Sequence, residues 1–322
     1  MTLSATSAAT FGTAVAAEHR ELLAGLMTTP KRLATKWLYD ARGSALYTAI
    51  AQQPEYYIDE AEREIVARHG ADVAARIRPR TLVDLGAGSA GKTRLLLDAL
   101  SAEGSLERYV PVDVSEAGLR DVARTLRADY PGLDIQPRAA DFSSPLGLDP
   151  QAAPVLFTFF GATYGNFRPA ERQRFLVTVR GQLRRGDGLL LGTDLVKDEV
   201  TLKAAYDDRA GVTAAFVKNG LTVLNRELGA NFRLRDFDHD VTWNPHLGRI
   251  ENALRARRSH TVTLASLDRA VTFSAGERLH VGISVKFRQK DIRSELARAG
   301  LRLDQWWTDN ANRYALSLAM TA

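Results

Sequence analysis

The sequence predicts an α/β protein whose core is a doubly wound, largely parallel sheet with helices on both faces. Between about residues 80 and 197, short apolar runs alternate with amphipathic segments, as in TLVDLG before KTRLLLDALSAE and RYVPVDVS before EAGLRDVARTLRADYP. Strands that alternate with helices of this length indicate parallel pairing through helical crossovers. A glycine-rich turn, GAGSAGKT, follows the first strand and precedes the first helix.

The remaining core elements follow the same pattern. LDIQPRAADF contains a short strand, APVLFTFFG and GLLLGTDLV are strands, and PAERQRFLVTVRGQLRRGD is a helix opened by Pro169. Near the C-terminus, QKDIRSELARAG predicts a helix, and LRLDQWWTD and RYALSLAM predict two strands close enough to pair antiparallel. The sheet is therefore expected to end in an antiparallel hairpin.

The order of predicted helices and strands along the chain also predicts the domain organisation. After Lys197 helical sequence gives way to strand-like alternation in HTVTLASLDRAVTF, which indicates a second, mixed α+β domain inserted for substrate binding. We expect residues 1–75 to be a helical segment that contributes to the substrate site. Residues 76–197 form the core, residues 198–285 the inserted substrate domain, and residues 286–322 a return to the core.

Composition limits the class of partner. The 322 residues are 45% hydrophobic and 25% charged, and no run approaches the roughly 18 apolar residues of a membrane helix. The net charge of +5 comes from arginines interleaved with acids, without a basic stripe typical of nucleic-acid binding. The chain has no cysteine. We expect a cytoplasmic monomer that acts on a small molecule, with neither nucleic acid nor a membrane as partner.

The loop GAGSAGKT allows two interpretations. It fits the phosphate-binding pattern G-x-x-x-x-G-K-[ST], in which Lys92 would contact phosphates, Thr93 would contact magnesium, and Asp194 would supply a second acid. The alternative is a site for S-adenosylmethionine (SAM), because Asp84 immediately precedes the loop. A carboxylate there would repel a polyphosphate and suit a sulfonium and an ammonium.

Two further strand ends favour SAM. Asp113 ends the second strand, where a carboxylate can bind ribose hydroxyls, although it could instead cap the next helix. Asp141 and Phe142 follow the third strand, and they can bind an adenine amino group and cover the ring. Together with Gly86 these residues occupy consecutive strand ends, where ligands of such sheets collect.

The chain resembles a known family, the L-histidine Nα-methyltransferases of ergothioneine biosynthesis, over nearly its whole length. The shared motifs are KWLYDARGS, PEYY, LVDLGAGSAGKTR, DVS, DF, FFGATYGN, LLLGTDLVKD, AYDDRAGVTAAF, NREL, SVKF and WWTD. The resemblance implies a Rossmann-like SAM methyltransferase fold. It also implies an enzyme that methylates the α-nitrogen of an amino acid up to three times, giving a betaine, with SAM and no metal.

The resemblance also implies which residues form the site. The expected SAM contacts are Gly86, Lys92, Asp113, Asp141 and Phe142. The expected amino-acid contacts are Tyr56, Asn166, Tyr206 and Ser284. Tyr39, Tyr56 and Asn166 are the expected catalytic residues, because Asn166 would present the amine and either tyrosine could accept or relay its proton.

One departure from the family concerns the substrate. Histidine enzymes carry a glutamate that binds the imidazole where this chain has Gly282, and a larger apolar residue where it has Asn252. Losing that charge-assisted hydrogen bond costs about 1.5–3 kcal/mol, or one to two orders of magnitude in affinity. Gly282 leaves space for tryptophan or tyrosine, and Asn252 offers a polar partner, unless Glu277 or His280 replaces the missing carboxylate.

Other functions remain as alternatives to an amino-acid methyltransferase. They are a phosphate-loop NTPase built on GAGSAGKT, an RNA methyltransferase that uses the basic surface, and a SAM-binding regulator without activity. The run DFDHD at residues 236–240 could bind a metal but is more typical of a solvated loop, so no metal is expected.

Overall fold

The computed structural model describes residues 18–88, 91–140 and 153–322. Within them the helices are α1 (18–27), α2 (Ala41–Ile50), α3 (Ile58–Ile77), α4 (Thr93–Glu103), α5 (Glu116–Asp129), α6 (Pro169–Arg180), α7 (Glu199–Ala204), α8 (Val212–Leu228) and α9 (Gln289–Arg298). The strands are β1 (Lys31–Arg32), β2 (Thr81–Leu85), β3 (Arg108–Asp113), β4 (Asp134–Ile135), β5 (Arg138–Ala139), β6 (Val155–Phe159), β7 (Gly188–Asp194), β8 (Phe237–Asn244), β9 (Arg249–Ala256), β10 (His260–Leu264), β11 (Arg269–Phe273), β12 (Arg278–Val285), β13 (Leu301–Thr308) and β14 (Tyr314–Thr321). Short 3-10 helices occupy Thr35–Leu38, Thr163–Asn166, Leu234–Asp236 and Ala265–Leu267.

The chain forms two compact units. The first unit is Met1–Tyr56 with Glu199–Ile283, and the second is Tyr57–Asp198 with Ser284–Ala322. The N-terminal segment that we expected to extend to residue 75 is divided between them, because α3 packs against α4 and β14 of the second unit.

The second unit contains the predicted sheet. Its strands lie in the order β13-β14-β7-β6-β2-β3-β4, and β5 also pairs with β3. Among the described strands, β2 to β7 pair in parallel, whereas β14 is antiparallel to both β7 and β13. The predicted doubly wound sheet with a terminal antiparallel hairpin is confirmed. Strand order reverses between β2 and β6, which is where such sheets bind ligands.

Helices cover both faces of this sheet. On one face Phe175 of α6 and Ile292 of α9 share a buried apolar cluster with Val83 and Phe157. On the other face α3 packs against α4 and β14. Every residue of β2 and β7 is buried, as expected for central strands that are enclosed on both sides.

The first unit has the mixed α+β composition that the sequence predicted. Its four-stranded sheet has the order β1-β12-β9-β8, and β10 and β11 form a separate antiparallel pair. Helix α2 packs against α8, and Gly43 permits a close approach at its start: a Cβ there would lie 1.8 Å from the carbonyl oxygen of Leu38. No helix among the described residues is long and apolar enough to span a membrane.

Candidate functional site

The glycine turn after β2 lies beside the carboxylate that ends β3. Gly86 and Gly88 have φ angles of +69° and +50°, a region that favours glycine. The Gly88 amide donates to Asp113 Oδ2 at 3.4 Å, and the Ser115 amide donates to Asp113 Oδ1 at 3.0 Å. Ser115, not Asp113, caps α5. The structure therefore brings Gly86 and Asp113 together in an arrangement whose carboxylate suits ribose hydroxyls.

Asp84 does not face a ligand, and our interpretation of this residue is wrong. It is buried and accepts hydrogen bonds from the hydroxyls of Thr93, Thr158 and Tyr109 at 2.6, 2.7 and 3.0 Å. Burial raises the pKa of Asp84, although these three donors oppose the rise. Asp84 therefore holds the start of α4 to the sheet through its hydrogen bond with Thr93. Thr93 is the residue that would bind magnesium in a phosphate loop, and its hydroxyl is occupied by this bond.

Lys92 is held by two carboxylates of α3. Its Nζ lies 2.7 Å from Oε2 of the fully buried Glu62 and 3.0 Å from Oδ1 of Asp59. Glu62 also accepts from the Gly161 amide at 2.8 Å and from the Tyr314 hydroxyl at 2.5 Å. The lysine therefore lies near the ends of β2 and β6 with negative charge around it, which is unfavourable for a triphosphate.

The other two residues of the proposed SAM site, Asp141 and Phe142, lie outside the described residues.

Asn166 ends a 3-10 turn that is pressed against the strand bearing Ser284. Asn166 is exposed, whereas Ser284 is buried. A Cβ on Gly165 would lie 2.6 Å from the carbonyl oxygen of Val285, so only glycine permits this approach. The second unit thus brings the turn of Asn166 and the strand of Ser284 into contact.

A partly buried ion pair between Arg172 and Glu295 holds the 3-10 turn that ends at Asn166. The Tyr164 hydroxyl donates to Glu295 at 2.5 Å, and Arg172 donates to both oxygens of the same carboxylate. Bidentate guanidinium–carboxylate pairing is strong and directional. Burial raises the pKa of Tyr164, so its phenol stays protonated and serves as the donor.

A second buried network joins Ser284 to the end of β7. Lys286 lies 2.7 Å from Asp194 and donates to Ser284 Oγ at 2.9 Å. Asp194 also accepts from Lys197 at 2.6 Å and from the Tyr57 hydroxyl at 2.9 Å. Burial alone would raise the pKa of Asp194, but the ammonium groups of Lys286 and Lys197 outweigh it and hold this pKa below its usual range. Burial lowers the pKa of Lys197 to about 8. Asp194 is therefore part of an internal ion cluster and not a magnesium ligand.

In the first unit, the predicted tyrosines Tyr39 and Tyr56 differ in exposure. Tyr39 is 50% exposed and packs edge-on against Phe216 at 5.1 Å between ring centroids, whereas Tyr56 is buried. The next residue after Tyr39, Asp40, caps α2 through the Gly43 amide.

Tyr206 and Asn252 lie around one small apolar cluster of the first unit. Tyr206 is half-buried against Leu202, Val241 and Ile250, and Asn252 stands opposite Val241 in the β8–β9 pairing. Asn252 Oδ1 is buried, and the side chain that interacts with it is His239 of β8.

Gly282 lies on β12, which is next to β9, the strand of Asn252. A Cβ at Gly282 would lie 3.0 Å from the methyl group of Thr35, so the space we expected there is limited on that side. Glu277, considered as a substitute carboxylate, is paired with Lys31 at 2.7 Å. His280 is half-buried, and burial lowers its pKa.

Each aspartate of the run DFDHD forms an ion pair with an arginine. Asp236 pairs with Arg258 at 2.9 Å, Asp238 with Arg257 at 2.6 Å, and Asp240 with Arg278 at 2.8 Å. Within residues 18–88, 91–140 and 153–322, no group of three or more histidine or acidic side chains is placed to hold a metal ion.

Sequence reasoning missed Glu62 and Lys286, the buried charges that hold Lys92 and Ser284. Glu62 gave no local signal within its helix. Lys286 gave one, because a lysine within the apolar run ISVKF is unusual and needs a buried partner.

Comparisons with known proteins agree with this architecture. A sequence profile described as "Histidine-specific methyltransferase, SAM-dependent" matches residues 18–321. A histidine N-alpha-methyltransferase of Mycolicibacterium smegmatis is 46% identical over 99% of this chain and 100% of its own length. Another, of Mycobacterium tuberculosis, is 46% identical over 93% of this chain and 94% of its own length. An L-tryptophan methyltransferase of Psilocybe serbica is 28% identical over 92% of this chain and 90% of its own length.

The phosphate-loop interpretation is wrong, because the Thr93 hydroxyl is bound to Asp84 and the Lys92 ammonium is paired with carboxylates. The turn at Gly86 and the carboxylate of Asp113 fit a nucleoside donor. The chain belongs to the histidine-specific, SAM-dependent methyltransferase family, and it is a SAM-dependent methyltransferase.

Proposed function

We propose that this enzyme methylates the α-nitrogen of a free L-amino acid, with histidine as the first candidate and a trimethylated betaine as the final product. The observation that carries the proposal is 46% identity, over nearly the whole chain, to two histidine N-alpha-methyltransferases. Ergothioneine biosynthesis is the corresponding pathway, since a more distant relative from Schizosaccharomyces pombe bears the name Ergothioneine biosynthesis protein 1.

The proposed roles on the donor side use the residues of the second unit. Gly86, Lys92 and Asp113, with Asp141 and Phe142, would hold SAM. SAM supplies an electrophilic methyl group on a sulfonium. The carboxylates around Lys92 keep this lysine in place at the strand switch point.

The proposed roles on the acceptor side are binding, alignment and proton removal. Asn166 and Tyr206 would bind the carboxylate of the amino acid, and Tyr56 and Ser284 would contact the rest of it. Neutral groups suit this task because they do not repel a cationic donor. Most of the rate would come from alignment of the α-nitrogen in a site that excludes water. Each methylation needs an unprotonated amine, and Tyr39 or Tyr56 would accept or relay its proton.

A second candidate substrate is tryptophan or tyrosine. The family resemblance implies that Gly282 stands where the histidine enzymes carry the imidazole-binding glutamate. A 28% identical relative is named an L-tryptophan methyltransferase. Thr35 limits the space beside Gly282, which favours histidine over the bulkier indole.

The experiment is a mass-spectrometric panel with the purified chain, SAM carrying a deuterated methyl group, and each of the twenty amino acids. We expect labelled gains of one, two and three methyl groups on histidine. Gains on tryptophan or tyrosine alone would select the second candidate. Labelling of RNA but of no amino acid would overturn the proposal.

The substrate site is tested separately with Asn166→Ala. We expect the amino-acid KM to rise about tenfold or more, because one direct hydrogen bond to a charged group is lost, while the SAM KM stays within about twofold. Asn310→Ala, another exposed asparagine of the second unit, is the matched control and should change neither constant. An unchanged amino-acid KM in Asn166→Ala would remove this residue from the site.

A further inference from the structure

Glu62 is a fully buried carboxylate whose partners come from three other parts of the second unit. It accepts hydrogen bonds from the Gly161 amide at 2.8 Å and from the Tyr314 hydroxyl at 2.5 Å. Its Oε2 lies 2.7 Å from Lys92 Nζ. We propose that Glu62 is a positioning residue that bridges the two sides of the SAM crevice, the start of α4 and the end of β6. The inference rests on the donor-side roles proposed above and not on the identity of the amino acid.

The two bridged segments flank the switch point of the sheet. Strands β2 and β6 pair in parallel, and Leu85 lies opposite Phe159 at their carboxyl ends. Lys92 immediately precedes α4, the helix that follows β2, and Gly161 follows the last residue of β6 by two positions. Ligands of doubly wound sheets bind in the crevice between two such segments. A carboxylate that holds both segments therefore fixes their separation.

The backbone of Gly161 is held through both of its polar groups. Its amide donates to Glu62, and its carbonyl oxygen lies 2.7 Å from the Tyr314 hydroxyl, which is also bound to Glu62. Burial and the neighbouring carboxylate raise the pKa of Tyr314 well above its usual value, so the phenol remains a donor. Gly161 has a φ of +75° and begins the turn that leads to Asn166. Glu62 and Tyr314 thus hold the point at which this turn leaves the sheet.

A glycine in β7 makes room for the bridge. Tyr314 belongs to β14, and its hydroxyl reaches Gly161 at the end of β6 across the intervening strand β7. A Cβ at Gly192 of β7 would lie 2.0 Å from the Tyr314 hydroxyl oxygen and 2.7 Å from Glu62 Oε1. Any larger residue at this position would therefore displace the bridge, which gives the glycine of the run LLLGTD a physical reason.

The test measures SAM affinity by calorimetry with the full-length protein and no amino acid. Glu62→Gln keeps the size and one acceptor oxygen of the side chain, but it removes the charge and turns an amide NH2 group towards the Lys92 ammonium. We expect the Kd for SAM to rise about tenfold or more, because a charge-assisted contact that positions the lysine is lost. Glu60→Gln, which alters an exposed glutamate of the same helix, is the matched control and should leave the Kd within about twofold.

A double-mutant cycle separates positioning from general stability. If Glu62 acts on SAM through the lysine, Glu62→Gln should raise the Kd less in a Lys92→Met background than in the unaltered chain. A role in stability alone would lower the free energy of unfolding, measured with urea, and leave the Kd of the folded variants unchanged.

Tyr314→Phe tests the other side of the crevice, and it does so whether or not Glu62→Gln folds. It keeps the pair of Glu62 and Lys92 but removes the hydroxyl that contacts Glu62 and the Gly161 carbonyl oxygen. We expect the Kd for SAM to rise about two- to tenfold, because the end of β6 loses one of its two buried contacts.

The outcomes distinguish this inference from the proposed function. SAM binding is measured without an acceptor, so a negative amino-acid panel would overturn the proposed substrate and not the bridge. A Kd within twofold in folded Glu62→Gln, or an equal rise in both lysine backgrounds, would show that Glu62 does not position the lysine. An unchanged Kd in Tyr314→Phe would show that the Gly161 side does not matter for SAM. Any of these three results overturns the bridge.

Discussion

The two units hold their proposed site residues in different ways. In the second unit, Ser284 is tied through Lys286 to Asp194, and the exposed fractions of the last two side chains are 0% and 1%. In the first unit, Tyr39 is half exposed and rests on Phe216, and its neighbour Asp40 pairs with an arginine that is 54% exposed.

This difference has an energetic consequence. A buried ion cluster fixes geometry firmly, because loss of one charge leaves the others desolvated and unpaired. Aromatic packing and exposed ion pairs tolerate change, since water can replace a lost partner. We therefore expect substitutions near Ser284 to affect folding strongly and those around Tyr39 to be tolerated.

The largest effect is expected for Asp194→Asn. Removal of this charge leaves two buried ammonium groups without their carboxylate, which should lower the free energy of unfolding by about 3–5 kcal/mol. Urea unfolding followed by circular dichroism measures the loss. Asp238→Asn is the control, because Asp238 pairs with the exposed Arg257, and its cost should stay below about 1 kcal/mol. Equal costs for the two variants would contradict the contrast between the units.

The sequence predicted correctly which residues meet at the carboxyl ends of neighbouring strands. Asp113 could be placed beside Gly86 because the carboxyl ends of neighbouring parallel strands meet at one edge of a sheet. Asp84 was misinterpreted by the same rule. It lies within a strand that is buried on both faces, so its carboxylate turns inward to the hydroxyls of Thr93, Tyr109 and Thr158, which lie 9, 25 and 74 residues away in the sequence.

The partners of Lys92 and Lys286 could not be predicted. Glu62 lies 30 residues before Lys92, and Asp194 lies 92 residues before Lys286, so only the packed structure brings each pair together. Sequence alternation reports which residues are buried, but it does not say which charges share a burial site. Gly165 is similar, because the need for glycine there comes from the backbone of Val285.

An intermediate effect is expected for Gly165→Ala, which tests backbone contact instead of charge. The added methyl group would lie 2.6 Å from the carbonyl oxygen of Val285, so the turn of Asn166 must move. We expect a loss of about 1–3 kcal/mol in the free energy of unfolding and a rise in the amino-acid KM larger than that in the SAM KM. Gly132→Ala is the control, as its Cβ would meet nothing within 4 Å. A normal amino-acid KM in Gly165→Ala would show that the contact does not position Asn166.

The smallest effect is expected for Asp40, and it should depend on pH. Burial raises its pKa, but hydrogen bonds from Arg226, the Gly43 amide and Asn219 outweigh this and hold the pKa at about 2, against 3.8 for an unperturbed aspartate. A carboxyl whose pKa is lower in the folded state stabilises the fold above the unfolded pKa and loses this effect as the pH falls through the folded value. The contribution should be about 1 kcal/mol near neutral pH, because Arg226 is half exposed.

Asp40→Asn should therefore be less stable than the unaltered chain by about 1 kcal/mol at pH 6, with roughly half of that difference left at pH 3. Urea unfolding at several pH values measures the difference. Glu199→Gln, which removes an exposed partner of Lys203 in the same unit, should change stability little at any pH. The comparison fails if Asp40→Asn lowers the free energy of unfolding as much as Asp194→Asn does, or if its effect is as large at pH 3 as at pH 6. Either result would mean that the first unit also depends on a buried charge near Tyr39.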